Sequence, residues 1–451
     1  MAPTERAKAV FLAGGFGSRL NHVTNPRYNR NAIPKPLLPI ANVSMIQRGV
    51  DAIKAAGVDR FYSTTAVMAD IVHETFPGRV SVQTAKPGSL SPVAYKHGGG
   101  DFREHFYEAE PLGTAPGVIW AAQQRGLRGS IIIPSGDIVT ALNVGRLLEE
   151  HQKAVRDHGA VATIALNPVP IEDLYRFGTV RLDGMQEHPL DLAHEIVWFQ
   201  RTMDQVADNF GRSVKVLEFA EKRPGTIQEF ERKNPDDALA QDSLALSPLN
   251  NSSYYVLEAT DENLALIASW LKLRPDCNGP AFNDFGAHVL PRLAQMGRLY
   301  GFPFSEYWSD VGTKRAYWQT QWEALDPDNG LKVDLGRAHV QIPSSAVIRE
   351  NVLIGRDVRI ADGAEIGPNV VIGDGWSIGK NARISDSVLV SRSIRTSVGF
   401  EVRDGVTISN AIVGSGPVDR DVVDDVAMHD GTSMLLEKHD ILEKPKEYFN
   451  P

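Results

Sequence analysis

The stretch VFLAGGFGSRLNHVTNPRYNRNAIPKPLLP, residues 10–39, decides the fold, and the rest of the chain can be interpreted outward from it. Its first four residues are apolar and are followed by Gly14-Gly15, which predicts a strand that ends in a glycine-rich turn. Because glycine lacks a Cβ atom, such a turn can bend sharply and bring backbone N–H groups close to an anion. A plain tight turn is the simpler alternative.

The charges around this turn favour the anion. Between Arg6 and Arg48 the chain contains no Asp or Glu, whereas its basic residues there are Arg6, Lys8, Arg19, Arg27, Arg30, Lys35 and Arg48. A phosphate-rich ligand explains this cluster most economically. The turn is neither a dinucleotide fingerprint, because Leu20 stands where the third glycine is needed, nor a Walker A loop, which needs Lys followed by Ser or Thr.

Length and composition limit the class of protein. A chain of 451 residues suggests two or three domains, and 42% hydrophobic with 23% charged residues is ordinary for a soluble globular protein. A net charge of −9 disfavours a general nucleic-acid binder, so no nucleic-acid partner is expected. Anionic substrates must then be attracted by a local basic site.

The compartment is predicted from what the sequence lacks. Its single cysteine, Cys277, excludes an internal disulfide framework and favours a reducing environment. The N-terminus has no long apolar core of a signal peptide, and no window approaches the roughly 20 apolar residues of a membrane span. We therefore expect a cytoplasmic protein without membrane contact.

The residues that follow the opening stretch predict a βαβ unit. Ser44 is a plausible N-cap for a helix that ends near Gly57, and residues 59–65 read as a second strand. Residues 8–65 would then contribute two parallel strands to one sheet. The glycine turn would lie at the carboxyl end of the first strand, where open α/β sheets bind their ligands.

Two motifs fit this opening stretch. LAGGFGSRL followed by PKPLLPI resembles the signature of the sugar-1-phosphate nucleotidylyltransferases, also called NDP-sugar pyrophosphorylases, including the mannose-1-phosphate guanylyltransferase and glucose-1-phosphate nucleotidylyltransferase types. The resemblance implies an α/β fold with a Rossmann-like mixed, mostly parallel sheet. It also implies transfer of a nucleoside monophosphate from an NTP to glucose or mannose 1-phosphate, which gives NDP-sugar and pyrophosphate. One departure is that residues 25–33 form a longer link than is usual in the family.

The resemblance assigns roles to residues at the nucleotide end of the site. Residues 111–115, PLGTA, resemble a family segment whose glycine lies beside the base, although Thr114 could simply cap the helix that follows. The implied catalytic residues are Arg19 and Lys35, and the implied nucleotide-binding residues are Leu12, Gly14, Gly15, Gly17 and Gly113.

Two aspartates are the implied ligands of a Mg²⁺ cofactor. Asp137 ends the segment IIIPSGD, where an Asp is often only a turn former, and at the carboxyl end of a parallel strand it would point into the ligand crevice. Asp310 lies in WSDVGT, which resembles the family's W-x-D-x-G-T, and its simpler role would be to help cap the next helix. Carboxylate oxygens are the ligands that a hard cation needs.

The implied sugar-phosphate site lies later in the chain. Its residues are Gly178, Glu221, Lys222 and Asn251. The sequence departs from the family at three points here: Phe177 replaces a tyrosine, Arg223 separates Lys222 from the usual proline, and Ser253 stands at a usual glycine. Residues 226–248 are polar and look like an insertion or flap. An isolated Glu-Lys pair is usually a surface pair, so Glu221 and Lys222 depend on the other motifs.

The C-terminal part is a repeat. Isoleucine recurs every six positions at Ile348, Ile354, Ile360, Ile366, Ile372, Ile378 and Ile384. Period six predicts a parallel β-helix whose triangular coils take three hexads each, left-handed by family resemblance. The predicted boundaries are residues 1–325 for the catalytic domain, 326–336 for a linker, 337–424 for the β-helix and 425–451 for a charged tail. The repeats become irregular after about Val388.

Two alternatives to this enzyme stay open at the level of sequence. One is a non-catalytic regulatory subunit that binds sugar nucleotide, and the other is a bifunctional enzyme with acyl transfer in the β-helix. Residues 340–428 contain no histidine, which disfavours acyl transfer with a histidine base. A packing, regulatory or homo-oligomeric role of the β-helix is the better prediction. The base and the sugar are not decided.

Overall fold

The computed structural model describes residues 7–15, 17–20, 24, 32–83, 90–93, 101–108, 112–185, 195–223, 245–271, 283–333, 339–391, 400–423 and 428–429. Several predictions fall wholly or largely outside these ranges: the contacts of Arg27 and Arg30, the flap, Cys277 and the tail. Within them, no helix is both long enough and apolar enough to cross a bilayer.

The first unit is an α/β domain. Its strands are β1 Lys8–Ala13, β2 Pro39–Ile40, β3 Val43–Ser44, β4 Phe61–Thr65, β5 Arg79–Gln83, β6 Leu90–Val93, β7 Phe102–Glu108, β8 Gly129–Pro134, β9 Ile138–Thr140, β10 Ala162–Pro168, β11 Gly178–Leu182, β12 Val214–Glu221, β13 Leu249–Ala259, β14 Leu299–Pro303 and β15 Trp308–Asp310. Its helices are α1 Met45–Ala55, α2 Ala69–Thr75, α3 Thr114–Gln124, α4 Val144–His158, α5 Glu195–Val206, α6 Asp261–Ala268, α7 Leu290–Gln295 and α8 Lys314–Glu323.

Local capping explains where the predicted helices begin. The Ser44 side chain accepts a hydrogen bond from the backbone N–H of Gln47, which makes it the N-cap of α1 as predicted. The two alternative capping roles are wrong. Thr114 is the first residue of α3, with Gly113 at the N-cap, and the side chain of Thr313, not that of Asp310, caps α8. Helix capping thus does not explain why Thr114 and Asp310 occupy these positions.

The main sheet is mixed, with strand order β10-β14-β12-β11-β13-β8-β1-β4-β7-β5-β6. Strands β8, β1, β4, β7 and β5 are parallel to one another, as predicted for the βαβ unit. The other half is mixed rather than mostly parallel: β10 and β14 are parallel, but β13 runs antiparallel to β8, β10 and β11.

The second unit contains three parallel sheets. Their strands are β16 Val347–Ile348, β17 Val352–Ile354, β18 Arg359–Ile360, β19 Glu365–Ile366, β20 Val370–Ile372, β21 Ser377–Ile378, β22 Arg383–Ser385, β23 Ser387–Leu389, β24 Glu401–Val402, β25 Thr407–Ser409, β26 Ile412–Val413, β27 Val422–Val423 and β28 Met428–His429. Early pairs such as Val352 with Val370 are 18 positions apart, and later ones such as Val388 with Ile412 are 24 apart. This register is consistent with the predicted β-helix and its irregular later coils.

One face of this second unit packs against the first. The side chains of Leu353, Val371, Val388 and Ile412 are at most 3% exposed and belong to the same apolar cluster as the core around α1. The indole N–H of Trp318 in α8 donates to the carbonyl of Asp386 at 3.0 Å. Because the neighbouring strand residues point into the β-helix, these strands are apolar on both sides, and the two units share a continuous core.

His105 is buried and His73 is partly buried, and the two lie next to each other. The rings of His73 and His105 stack at 4.6 Å, and His105 bonds to the Ser63 hydroxyl and the Phe76 carbonyl, both at 2.7 Å. Burial lowers the pKa of His73 to about 4 and that of His105 to about 3. Both are therefore neutral in the folded protein at neutral pH.

The acid stability of the protein should depend on these histidines. The pKa of an unfolded histidine is about 6.5, so between about pH 6.5 and pH 4 the unfolded chain binds a proton at His73 that the folded protein does not bind. This difference favours unfolding, and the free energy of unfolding therefore decreases as the pH falls through this window. His73→Gln removes this difference in proton binding. As the pH falls through that window, its free energy of unfolding should decrease less steeply than that of wild type, by roughly 1.4 kcal/mol per pH unit. The exposed His158→Gln is the control, and equal slopes in wild type and His73→Gln would refute the assignment.

Candidate active site

The glycine turn follows β1 at the carboxyl end of the parallel strands. The backbone N–H of Gly136 donates to the Leu12 carbonyl at 2.9 Å, which joins this turn to the Ser-Gly-Asp segment after β8. A Cβ atom on Gly14 would lie 3.3 Å from the backbone nitrogen of Ala66, whereas one on Gly15 would meet nothing within 4 Å. Gly17 has φ +59°, a conformation that favours glycine. The turn is thus tight at its base and open at Gly15.

Lys35 and Asp137 form an ion pair behind this turn. The Lys35 side chain is buried, and its Nζ lies 2.5 Å from Oδ2 of Asp137. The other carboxylate oxygen of Asp137 accepts a hydrogen bond from the Ser135 hydroxyl at 2.5 Å. Prolines on both sides of Lys35 restrict the backbone that carries it. Sequence analysis singled out Lys35 and Asp137 but missed Ser135.

Asp310, near the C-terminal end of the first unit's sequence, lies beside the segment that carries Asp137. Strand β15 pairs antiparallel with β9, so that Asp310 lies opposite Ile138, and the N–H of Val311 donates to the Asp137 carbonyl at 3.2 Å. A Cβ atom on Gly312 would lie 2.6 Å from a terminal nitrogen of Arg19 and 3.0 Å from Oδ1 of Asp310. Gly312 therefore leaves room for the exposed Arg19 guanidinium beside this carboxylate.

The two carboxylates have different electrostatic environments. Burial by itself would raise the pKa of Asp137, but the charge and hydrogen bond of Lys35, together with Ser135, hold it below its ordinary value. The pKa of Asp310 is raised, first by burial and then by repulsion from Asp137. Lys35, Arg19 and Arg176 offset only part of that increase.

This donor set fits a magnesium ion shared with a phosphate. Within the described ranges no cluster of three or more His, Cys, Asp or Glu side chains could hold a metal by itself. Mg²⁺ usually takes one or two protein carboxylates and completes its shell with water and substrate phosphates. Asp137 and Asp310 are two carboxylates that repel each other beside a basic turn, and they supply the protein part of such a ligand shell. They are the residues that would hold the ion.

The residues of the implied sugar-phosphate site also come together. Gly178 pairs with Glu221 across β11 and β12. A Cβ atom on Gly178 or on Gly286 would lie 2.8 or 2.4 Å from Oε2 of Glu221, and this buried oxygen has no hydrogen-bond partner. Burial raises the pKa of Glu221, and the neighbouring charge of Lys222 lowers it in part. Gly286, which belongs to the π-helical turn Phe285–Val289, was not predicted.

A bulge in β13 shapes the same region. Two extra residues of β13 lie opposite β10 between Asn251 and Tyr255, and there Ser253 adopts φ +61°. The Asn251 side chain accepts from the N–H of Ser253 at 3.1 Å and donates to the Tyr255 hydroxyl at 3.2 Å. The carbonyl of Ser253 accepts from the N–H of Ser135 at 3.0 Å. Bulges commonly redirect side chains beside active sites, and this one joins Asn251 to the loop that holds Asp137.

Gly113 has a packing partner that the sequence did not reveal. It has φ +95°, and a Cβ atom there would lie 2.2 Å from the carbonyl oxygen of Asn283. The carboxylate of Asp284 accepts from both the N–H and the hydroxyl of Thr114 at 3.1 Å. Glycine is therefore required for contact with a distant loop, and a nucleotide beside Gly113 stays a prediction.

Family models match both units of the chain. One described as "Nucleotidyl transferase" matches residues 8–326, and one described as "GMPPB C-terminal domain" matches residues 339–434. The chain belongs to the nucleotidyl transferase family.

Curated relatives agree with this family. A glucose-1-phosphate adenylyltransferase of Clostridium botulinum (strain Alaska E43 / Type E3) is 25% identical over 363 residues, covering 78% of this chain and 75% of that protein. A mannose-1-phosphate guanylyltransferase 1 of Arabidopsis thaliana is 22% identical over 368 residues, covering 79% and 77%. The match to a glucose-1-phosphate adenylyltransferase of Fervidobacterium nodosum, 26% identical, spans only 44% of this chain and 34% of that relative.

Among solved structures, UDP-glucose pyrophosphorylase complexed with UDP-glucose is similar with a TM-score of 0.45 and 15% identity. The match covers 70% of this chain and 97% of that one.

The repulsion between the two aspartates generates a stability prediction. Asp310→Asn removes a charge that Asp137 repels, so its melting temperature in metal-free buffer should equal or exceed that of wild type. Saturating Mg²⁺ should raise the melting temperature of wild type but not of Asp310→Asn, because only wild type has both carboxylates. Exposed Asp208→Asn is the control. Equal Mg²⁺ shifts in wild type and Asp310→Asn would contradict the predicted site.

Proposed function

We propose that this chain is a Mg²⁺-dependent sugar-1-phosphate nucleotidylyltransferase that joins an NTP and a hexose 1-phosphate, glucose or mannose 1-phosphate, to give NDP-sugar and pyrophosphate. The observation that carries the proposal is the meeting of Asp137 and Asp310 beside Lys35 and Arg19 at the carboxyl end of the parallel strands. The family match and the names of the relatives support it.

The reaction needs positive charge and alignment more than acid–base chemistry. An oxygen of the sugar phosphate attacks the α-phosphorus of the NTP and forms a new P–O bond, and the bond from the α-phosphorus to the bridging oxygen breaks, so pyrophosphate leaves. The nucleophile is already an anion, so no side chain must remove a proton. The protein has to overcome repulsion between anions, which is an electrostatic and positioning task.

The chain's own residues can divide this task. Amides of Gly14, Gly15 and Gly17, with Arg19, would hold the leaving β- and γ-phosphates. The Lys35 ammonium group has three protons and donates one of them in a hydrogen bond to Asp137, so the other two can be donated to the α-phosphate. When bound between Asp137 and Asp310, Mg²⁺ would neutralise phosphate charge and align the reacting groups.

The sugar phosphate would lie on the other side of the α-phosphate. The Lys222 side chain is 63% exposed and its Nζ lies 3.5 Å from Oε1 of Glu221, so its remaining ammonium protons can be donated to a phosphate. The unpartnered Oε2 of Glu221 can accept from a sugar hydroxyl, and the Asn251 amide offers a further polar contact. The Gly178 backbone, which cannot carry a side chain without meeting Glu221, would approach the sugar.

The β-helix supports a further part of the proposal. We infer a homo-oligomer, because the first coil exposes Ile342 and Val347 at 45% each, and apolar side chains at the end of a solenoid need a cover. We also propose that the coil is left-handed, as the family resemblance implies. A cytoplasmic location and the domain boundaries predicted above belong to the same proposal. The molar mass of the purified chain, measured by light scattering, tests the oligomer.

A substrate panel tests the proposed activity directly. Pyrophosphate release should be measured with each of the common NTPs against glucose 1-phosphate and mannose 1-phosphate, with and without Mg²⁺. We expect release that requires an NTP, a sugar phosphate and Mg²⁺ together. Stabilisation by an NDP-sugar without any release would instead favour the regulatory subunit, and acyl-CoA consumption is the control for acyl transfer.

Arg19 should be needed for turnover rather than for folding. Its guanidinium is exposed beside Asp310, so Arg19→Ala should lose roughly 10²–10³ in kcat, the scale of removing one group that stabilises charge in the transition state. Arg156→Ala, on the exposed side of α4, is the matched control. Turnover of Arg19→Ala within a few-fold of wild type would refute the role.

A further inference from the structure

Arg176 lies between the implied sugar turn and the implied metal site. It ends the 3-10 helix Ile171–Arg176 and directly precedes Phe177 and Gly178. One guanidinium nitrogen lies 3.0 Å from Oδ1 of Asp173, and another lies 3.5 Å from Oδ2 of Asp310. The guanidinium carbon is 5.0 Å from the centre of the Phe177 ring. Sequence analysis gave this residue no role.

The contact between Arg176 and Asp310 uses the other carboxylate oxygen from the one that lies near Gly312. Oδ1 of Asp310 is the oxygen near Gly312 and the Arg19 guanidinium, whereas Oδ2 is the one near Arg176. The planar guanidinium fixes the direction in which it donates, so this contact restricts rotation of the carboxylate. Oδ1 is thereby held towards the basic turn.

Other contacts fix the residues near Arg176 and Asp310 in the sequence. The Phe177 ring meets the Trp308 ring edge-on at 5.3 Å, and the Trp308 indole donates to the Ser252 carbonyl at 3.0 Å. Trp308 begins the three-residue strand that ends at Asp310. The side chains of Arg176 and Asp310 are 23% and 16% exposed, so solvent screens their attraction less than on an open surface.

We propose that Arg176 is a positioning residue that orients the Asp310 carboxylate for a divalent cation and ties it to the turn that bears Gly178. This inference rests on the proposed function for the identity of the site. Groups that hold a metal-ligating carboxylate from behind typically contribute 10–100-fold to metal affinity. A purely structural role would instead act through Asp173, which Arg176 also contacts within the 3-10 helix.

Binding of Mn²⁺ to the full chain, followed by loss of the free-ion EPR signal, separates these two roles. Arg176→Gln should weaken Mn²⁺ binding about 10–100-fold. Arg176→Lys should recover part of it, because a charge remains without the planar fork. Asp173→Asn, which removes only the helix contact, should bind Mn²⁺ like wild type. Melting temperature and circular dichroism verify that each variant is folded.

Two results would overturn the proposal. One is a folded Arg176→Gln or Arg176→Lys protein with wild-type Mn²⁺ affinity, and the other is an equal loss in Asp173→Asn and Arg176→Gln. The readout does not require turnover, so its failure is distinct from failure of the proposed function. If wild type binds Mn²⁺ through Asp310 but releases no pyrophosphate, the enzymatic function fails while these variants still decide the role of Arg176.

Discussion

The arrangement of the candidate site depends on two carboxylates that would repel each other without nearby cations. Asp137 and Asp310 are far apart in sequence, and pairing of β9 with β15 brings them to one place. Burying like charges together is unfavourable unless each is compensated. Lys35 forms a direct ion pair with Asp137, whereas Asp310 has a longer contact with Arg176. The charges of Lys35, Arg19 and Arg176 lower the pKa of Asp310 only in part, so it stays raised. A divalent cation would relieve the remaining repulsion.

The rest of the fold holds these charges in place. Lys35 begins the 3-10 helix Lys35–Leu37, which leads into the hairpin of β2 and β3, and the Asn42 side chain in that hairpin donates to the Ile372 carbonyl of the β-helix at 3.4 Å. The helix that follows Asp310, α8, packs against the same face of the β-helix through Trp318. Both sides of the ion cluster are therefore backed by one apolar interface. This gives the β-helix a packing role within the chain.

Local signals made much of this predictable. The strand before the glycine turn, the Ser44 cap and the six-residue period each depend on neighbours within a few positions, and all three have counterparts in the structure. What could not be predicted depends on contacts across the chain. Ser135, Arg176 and Gly286 are ordinary residues in sequence, and only the folded sheet brings them to Asp137, Asp310 and Glu221. Gly113 was singled out for a ligand, and its close neighbour is Asn283, about 170 positions away.

The central claim is that Asp137 and Asp310 hold one ion together, and a double-mutant cycle on Mn²⁺ affinity tests it most directly. Asp137→Asn and Asp310→Asn should each weaken Mn²⁺ binding. Because two ligands of a single ion do not act independently, the double variant should bind Mn²⁺ almost as well as the weaker-binding of the two single variants. Losses that multiply in the double variant, or one single variant that binds like wild type, would mean that the two carboxylates do not share an ion.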